Sequence, residues 1–162
     1  MFKVEKMTVE GWERFREVRL RALLDTPDAF GRLHGEEADW EPALWHGRLA
    51  DRDSDTFIAV QDRVDVGLVT VANYSGKTGA AGLFGMWAAP DARGTGAATG
   101  LVQAGIAWAQ VRGFERVLLD VADENPRAIA FYQRLGFVPT GLTGTLPEPR
   151  QHVTEHEREL LF

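Results

Sequence analysis

Hydrophobic positions recur at helical spacing in the first third of the chain. Apolar side chains three and four residues apart predict an amphipathic helix with Thr8 as its N-cap, ending before Pro27. Proline sets this end because it disfavours the helical conformation in the residue before it. A second helix is predicted between Glu36 and Ala50. The beginning of the chain is therefore expected to be mostly helical.

Downstream, the pattern changes to short runs rich in β-branched and aromatic residues, which predict strands. A polar turn at residues 61–63 predicts a hairpin between two of these runs. Two further helices, 94–112 and 126–135, separate the later strands, and a Gly- and Pro-rich loop is expected at 141–149. This order indicates a mixed α/β domain. Strands are expected near Val4 and at residues 56–60, 66–72, 81–88, 116–121, 137–138 and 154–162.

The composition is that of a globular protein and narrows the possible functions. The chain has 162 residues, so we predict a single domain over residues 1–162. Its net charge of −6 argues against nucleic-acid binding through bulk charge. It contains no cysteine, which excludes disulfides, Cys-ligated zinc and an acyl-cysteine intermediate. Without a signal-peptide stretch or a membrane-length apolar run, a soluble cytoplasmic protein that binds no metal is expected.

A glycine-rich turn between a predicted strand and a predicted helix is the first candidate site. Residues 88–98 read Ala-Ala-Pro-Asp-Ala-Arg-Gly-Thr-Gly-Ala-Ala. Glycines let backbone N–H groups approach a ligand, and the helix N-terminus adds free donors, so this turn suits a phosphate or pyrophosphate. An ordinary strand-to-helix connection is the alternative. A P-loop fits less well because no Lys follows Gly96, and a dinucleotide fingerprint because position 99 is Thr.

A second stretch decides between these readings. Residues 125–137 read Asn-Pro-Arg-Ala-Ile-Ala-Phe-Tyr-Gln-Arg-Leu-Gly-Phe. The order of predicted elements is also similar to that of one family along nearly the whole chain. The chain resembles the GNAT N-acetyltransferase superfamily in the two parts of its acyl-CoA signature, Arg93-x-x-Gly96-x-Ala98 and Asn125-x-x-Ala128-x-x-Phe131-Tyr132-x-x-Leu135-Gly136-Phe137.

The resemblance implies a GNAT fold, a mixed and mostly antiparallel sheet of about six or seven strands flanked by about four helices. The sheet is expected to splay between its fourth and fifth strands and admit acetyl-CoA, with the pantetheine arm along the fourth strand. A backbone N–H near residues 86–88 would stabilise the oxyanion, and Tyr132 matches the family's general acid. The expected acetyl-CoA contacts are Met86, Trp87, Ala88, Arg93, Gly94, Thr95, Gly96, Ala97, Ala98, Asn125 and Arg134.

The acceptor side carries fewer signals. Residues 28–37 resemble the acceptor-side segment of small GNAT enzymes, and their carboxylates suit a cationic amine. The predicted fourth strand has no carboxylate over residues 83–89, which leaves the general base open among Glu36, Glu37, Asp39, Asp120 and a water relay. The expected acceptor contacts are Phe30, Glu36, Glu37 and Asp120.

These features predict an N-acetyltransferase that moves the acetyl group of acetyl-CoA to a primary amine of a small molecule or peptide. The predicted reaction is direct attack in a ternary complex. The alternative is a non-catalytic acyl-CoA-binding sensor or regulatory domain, and a dinucleotide-binding oxidoreductase comes third. The expected partners are acetyl-CoA and the amine, with no nucleic acid and no membrane. A homodimer through the last strands is compatible with the sequence.

Overall fold

A computed structural model describes residues 2–162, within which seven strands form one sheet. The strands are β1 (Phe2–Lys6), β2 (Ser54–Gln61), β3 (Val64–Asn73), β4 (Ala80–Ala88), β5 (Arg116–Ala122), β6 (Val138–Thr145) and β7 (Thr154–Leu161). Their order in the sheet is β1-β2-β3-β4-β5-β7-β6. Neighbouring strands are antiparallel except for the central pair of β4 and β5, which is parallel.

Five α-helices accompany the sheet in the described part of the chain. They are α1 (Trp12–Asp25), α2 (His34–Ala38), α3 (Pro42–Ala50), α4 (Ala97–Val111) and α5 (Pro126–Arg134). Residues 66–69 of β3 are all buried. Because successive side chains of a strand point to opposite faces of the sheet, both faces are covered here. Helix α4 packs closely on one face: a side chain at Gly105 would lie 2.5 Å from Leu83. The mixed α/β prediction is confirmed.

Three predicted boundaries are wrong. Thr8 makes no capping hydrogen bond and precedes a single 3-10 turn, so α1 begins at Trp12. The predicted second helix is two helices, because Glu41 is extended before Pro42, as the proline requires. The strand predicted at residues 137–138 continues as β6 through the expected loop to Thr145, since an exposed edge strand tolerates its proline and glycines.

The sheet divides between β4 and β5, which confirms the predicted splay. The parallel pairing joins only Ala80–Gly82 to Arg116–Leu118 by position, and the two strands separate beyond it. A β-bulge follows on β4: Leu68 faces Trp87 and Thr70 faces Phe84, so one extra residue lies between. Gly85 occupies this bulge with φ of +61°, a conformation that favours glycine. A wedge therefore opens beside the second half of β4.

Candidate active site

A cavity of about 910 Å³ occupies the wedge between β4 and β5. Residues 85–88 of β4 and 119–122 of β5 form its two sides, and Thr26–Phe30 by position close one end. The start of α4 and the inward face of α5 complete the lining. Because β5 has separated from β4, the second half of β4 presents backbone groups without a strand partner on that side. An extended, amide-bearing ligand can pair with such an edge.

The start of α4 supplies backbone donors to the cavity. Gly94 and Gly96 both have positive φ, 83° and 92°, and both line the cavity together with Ala98. The helix has no side-chain cap, and its first backbone bond runs from the N–H of Gly100 to the carbonyl of Gly96. The amides of the first helical turn therefore lack partners within the helix, as an anion site requires.

Two residues of the predicted phosphate turn do not face the cavity. The backbone N–H and the hydroxyl of Thr95 both donate to the carbonyl of Ala92. Ala97 is fully buried in the hydrophobic core. Among the five residues of the predicted turn, the cavity lining therefore alternates, with Gly94, Gly96 and Ala98 on it and Thr95 and Ala97 off it.

Three guanidinium groups border the cavity. The Arg93 guanidinium lies 3.2 Å from a carboxylate oxygen of Asp25, and the same oxygen accepts the Trp87 indole N–H at 2.9 Å. Arg134, as expected, and Arg127 also line the cavity, from α5. The sequence analysis missed Arg127, although its spacing of seven residues from Arg134 places both on one helical face. These cations favour an anionic ligand next to the α4 terminus.

Trp87 and Met86 differ in their exposure. The Trp87 side chain is buried against α1, where the guanidinium of Arg21 lies 5.4 Å from its ring centroid. Met86 is half-buried, and both residues line the cavity together with Ala88. Gly85 at the bulge also lines it, a residue that the sequence analysis did not single out. A backbone contact from this part of β4 therefore remains available to a ligand.

Helix α5 places a phenol in the cavity wall. Its N-cap is Asn125, as predicted, whose side-chain oxygen accepts the N–H of Ala128 at 3.1 Å. Tyr132 lines the cavity with 8% of its surface exposed, and its ring packs edge-on against Phe137. Burial raises the pKa of the Tyr132 phenol. The phenol is therefore protonated at neutral pH, the state that a proton donor needs.

The predicted acceptor carboxylates separate into two groups. Phe30 and Asp120 line the cavity, whereas Glu36 and Glu37 do not. Glu37 is fully buried and accepts two hydrogen bonds of 3.0 Å from Arg19. Glu36 is exposed and accepts the backbone N–H of Leu33 at 3.2 Å. The structure thus places both carboxylates outside the cavity, where Glu37 joins α2 to Arg19 of α1 and Arg48 of α3 and Glu36 bonds to the start of α2.

Asp120 belongs to a group of acidic side chains on β5 and β7. It pairs directly with Glu157 across the two strands, and the Tyr74 hydroxyl donates to it at 3.4 Å. Burial and the charge of Glu157 raise the pKa of the Asp120 carboxyl. Lys77 donates to both carboxylate oxygens of Glu157, at 2.9 and 2.8 Å. The environment of Asp120 thus favours accepting a proton more than that of an ordinary aspartate does.

Comparison with known proteins identifies the family. The model of the acetyltransferase (GNAT) family matches residues 14–137, most of the chain. The chain belongs to the GNAT family. It is 30% identical over 143 residues to an uncharacterised N-acetyltransferase of Methanocaldococcus jannaschii, a match that covers 84% of this chain and 60% of that protein.

One further relative of this GNAT protein and one solved structure with a similar fold have names that state a substrate. The streptothricin acetyltransferase of Streptomyces lavendulae is 31% identical over 106 residues, which cover 65% of this chain and 56% of that protein. The chain thus spans less than two thirds of the curated relatives it matches. The spermidine N-acetyltransferase of Vibrio cholerae, solved with CoA and spermine, superposes with a TM-score of 0.77 at 17% identity. That superposition covers 99% of this chain and 95% of the other.

The described residues contain neither a cluster suited to a metal ion nor a helix suited to spanning a membrane. Over residues 2–162, no three His, Asp or Glu side chains lie together in an arrangement suited to a metal ion. The helices of the same residues include none with the length and apolar character needed to cross a bilayer.

Proposed function

We propose that this GNAT-family protein transfers the acetyl group of acetyl-CoA to a primary amine by direct attack in a ternary complex. One observation carries the proposal: a single cavity joins the uncapped start of α4, the unpaired half of β4, the Tyr132 phenol and the Asp120 carboxylate. Each of these features answers one chemical need of the reaction. The membership of the acetyltransferase family supports the same reading.

The residues of the cavity fit a CoA thioester. Backbone donors at Gly94, Gly96 and Ala98 suit a pyrophosphate, with the guanidinium groups of Arg127 and Arg134 beside it. The edge of β4 suits the amides of an extended pantetheine arm. A backbone N–H of β4 near the Gly85 bulge is proposed to donate to the oxygen on which negative charge develops. Acetyl-CoA supplies an activated acyl group when it is bound there.

Tyr132 is proposed as the general acid. When the amine nitrogen bonds to the acetyl carbon, the carbon–sulfur bond breaks and the sulfur leaves as a thiolate. A phenol has an ordinary pKa of about 10 and therefore holds its proton at neutral pH, available to a thiolate that forms beside it. Burial raises the pKa of Tyr132 and so weakens the phenol as an acid, but the same buried surroundings raise the pKa of the departing thiol, and the transfer remains feasible. Tyr132 regains its proton from solvent after the products leave.

Asp120 is proposed as the group that accepts the proton of the amine, directly or through one water. It is the predicted acceptor carboxylate that the cavity contains, and its raised pKa makes it a better base than an ordinary aspartate. The acidic neighbours Glu155 and Glu157 favour a cationic amine at this end. The proposed acceptor is therefore a positively charged small molecule or the amino terminus of a peptide.

Binding and transfer are tested separately. Calorimetry measures whether acetyl-CoA binds, and thiol release measures transfer to spermidine, streptothricin and a tripeptide with a free amino terminus. Binding accompanied by thiol release with at least one amine is the expected result. Failure to bind acetyl-CoA at millimolar concentration would contradict the proposal.

A non-catalytic acyl-CoA sensor is the second candidate function. The observation that favours it is the absence of any carboxylate over residues 83–89, which include the second half of β4. This candidate predicts acetyl-CoA binding without transfer to any of the three amines. The two candidates therefore share the binding result and differ in thiol release.

A further inference from the structure

The wall that closes the acceptor end of the cavity has little structure of its own. It consists of residues 26–30, which contain a single 3-10 turn, Pro27–Ala29, followed by the extended Phe30. One backbone hydrogen bond, from Ala29 to Thr26, lies within this segment. A connector with so few internal bonds needs outside contacts to hold one conformation.

Arg150 provides those contacts from a distant part of the chain. It lies in the connection between β6 and β7, about 120 residues away in sequence. Its Nη1 donates to the carbonyl oxygens of Pro27 at 2.6 Å and Phe30 at 2.8 Å, and its Nη2 donates to that of Gly31 at 3.2 Å. One guanidinium therefore satisfies three backbone acceptors on the wall and just beyond it.

The environment of Arg150 makes these bonds strong. The residue is 7% exposed, and the Asp28 carboxylate approaches its guanidinium only to 4.0 Å. Hydrogen bonds from a charged donor are stronger than neutral ones, and a low local dielectric strengthens them further. Because the charge is met mainly by carbonyl dipoles, displacing the wall would leave a buried cation without partners.

The β6–β7 connection is itself anchored to the cavity. Leu146 and Val153 are buried against Ala122 at the end of β5, which also lines the cavity. The backbone N–H of Leu146 donates to the carbonyl of Val153, and the backbone N–H of Val153 donates to the backbone carbonyl of Arg150. Arg150 therefore links residues 26–30, which form the wall, to β5, the strand that carries Asp120.

Phe30 is held from its other side as well. The guanidinium of Arg19 lies 5.1 Å from the centroid of its ring, while Arg150 binds its carbonyl. Arg19 is fixed in turn by its two bonds to the buried Glu37. The ring has Arg19 as its cation–π partner, and the backbone of the segment depends on Arg150.

We propose that Arg150 is a positioning residue that fixes the acceptor-side wall against β5 and thereby determines which amines the cavity accepts. It does not line the cavity, so it acts through the residues that do. This inference rests on the proposed acetyl transfer. Because the phosphate-binding end lies on α4 and α5, loss of Arg150 is expected to affect the amine and not acetyl-CoA.

Kinetics of two variants test the proposal. Arg150→Met should raise KM for the preferred amine about tenfold or more, change the ranking of spermidine, streptothricin and the tripeptide, and leave KM for acetyl-CoA within about twofold. Arg150→Lys, which keeps the charge and some donors, should fall between Met and wild type. Arg16→Met is the matched control, because Arg16 also donates to a backbone carbonyl, that of Ala38 at 3.3 Å, but outside the cavity.

The contrary outcomes are distinct from a failure of the proposed function. Equal rises in both KM values, or an unchanged amine ranking in a folded Arg150→Met protein, would overturn the role of Arg150. No thiol release by the wild type with any of the amines would instead remove the proposed transferase.

Hydrogen exchange tests the contact without any substrate, first in the wild type and then in the conservative Arg150→Lys variant. In the wild type, the amides of Ala29, Arg150 and Val153 should exchange with similar protection, since the wall and the β6–β7 connection open together. Arg150→Lys should speed exchange at Ala29 selectively. Independent exchange of the two segments in the wild type would refute the coupling.

Discussion

The two ends of the cavity are built in different ways. The end proposed to bind the pyrophosphate comes from two stretches that are each continuous in sequence, the turn into α4 and helix α5. The acceptor end is assembled from the connector after α1, the end of β5 and the β6–β7 connection. A site formed by a continuous stretch of backbone can be recognised as a motif in the sequence, whereas a site formed by distant segments cannot.

The difference extends to the chemistry of the two ends. At the α4 end, backbone amides next to two left-handed glycines line the cavity, with guanidinium groups around them. At the end proposed to bind the acceptor, side chains supply the contacts: Asp120 lines the cavity, Arg150 donates to the backbone of the wall, and the Arg19 guanidinium lies over the Phe30 ring. We therefore expect substitutions at the first end to affect acetyl-CoA, and those at the second to affect the amine.

Tyr132, which lines the cavity from α5, is the proposed general acid, and its loss should have the largest effect. Tyr132→Phe should lower kcat by at least about 100-fold, because the leaving thiolate loses its proton donor. KM for acetyl-CoA should change less than about threefold, since no binding contact is removed. Thiol-release kinetics measure both. Thermal melting is the control, because the phenylalanine ring keeps the packing on Phe137; an unchanged kcat would exclude Tyr132 as the acid.

Asp120→Asn should have the next largest effect and should act through the amine. We expect kcat/KM for the amine to fall about 10- to 100-fold, because the amide cannot accept a proton. The acidic limb of the pH profile should disappear with it. Glu36→Gln is the matched control, since Glu36 is a predicted acceptor carboxylate that lies outside the cavity. Equal losses in the two variants would contradict the placement of the base.

Comparing Gly94 with Gly113 separates the effect of an alanine on acetyl-CoA binding from its effect on stability. Gly94 and Gly113 have nearly the same φ, 83° and 81°, and neither would bring a Cβ within 4 Å of another group. Alanine at either position should therefore cost a similar 1–2 kcal/mol or so of stability. Gly94→Ala alone should weaken acetyl-CoA binding, by about tenfold or 1.4 kcal/mol. Calorimetry and melting measure the two effects, and equal affinities would argue against the amide site.

The smallest effect is expected for Tyr74→Phe. The Tyr74 hydroxyl donates to Asp120 and lowers its pKa, against the raising effects of burial and Glu157. Removing that hydroxyl should raise the pKa of Asp120 further, so the acidic limb of kcat/KM should move to higher pH. The pH profile of the variant measures this. A limb that stays in place or moves to lower pH would show that Asp120 does not set it.

Two helix ends show where the local sequence was sufficient to predict the structure and where it was not. Asn125 caps α5 as predicted, because its preference depends on the N–H three residues later and on no distant contact. The Thr8 prediction failed for the opposite reason: the chain enters α1 through a 3-10 turn, and the N–H of Met7 donates to the carbonyl of Thr56 on β2. Tertiary contacts at that end overrode a local propensity.

The sequence was not sufficient to place the predicted acceptor carboxylates. Nothing in the sequence distinguishes Glu36, Glu37 and Asp120, since each is an acidic residue near an element boundary. The structure buries Glu37 against Arg19, leaves Glu36 in solvent and brings Asp120 to the cavity beside Glu157. The same holds for Arg150, whose three acceptors lie about 120 residues away.

The sequence by itself determined the family motif, the mixed α/β order and the glycine-rich turn into α4, because glycine conformation, helix termini and hydrophobic period are local properties. Only the tertiary structure decided at which residues β4 and β5 separate, which predicted carboxylate lines the cavity and what contacts the wall formed by residues 26–30. Those features depend on free energies of burial and on contacts between remote segments, and neither is encoded in the spacing of neighbouring residues.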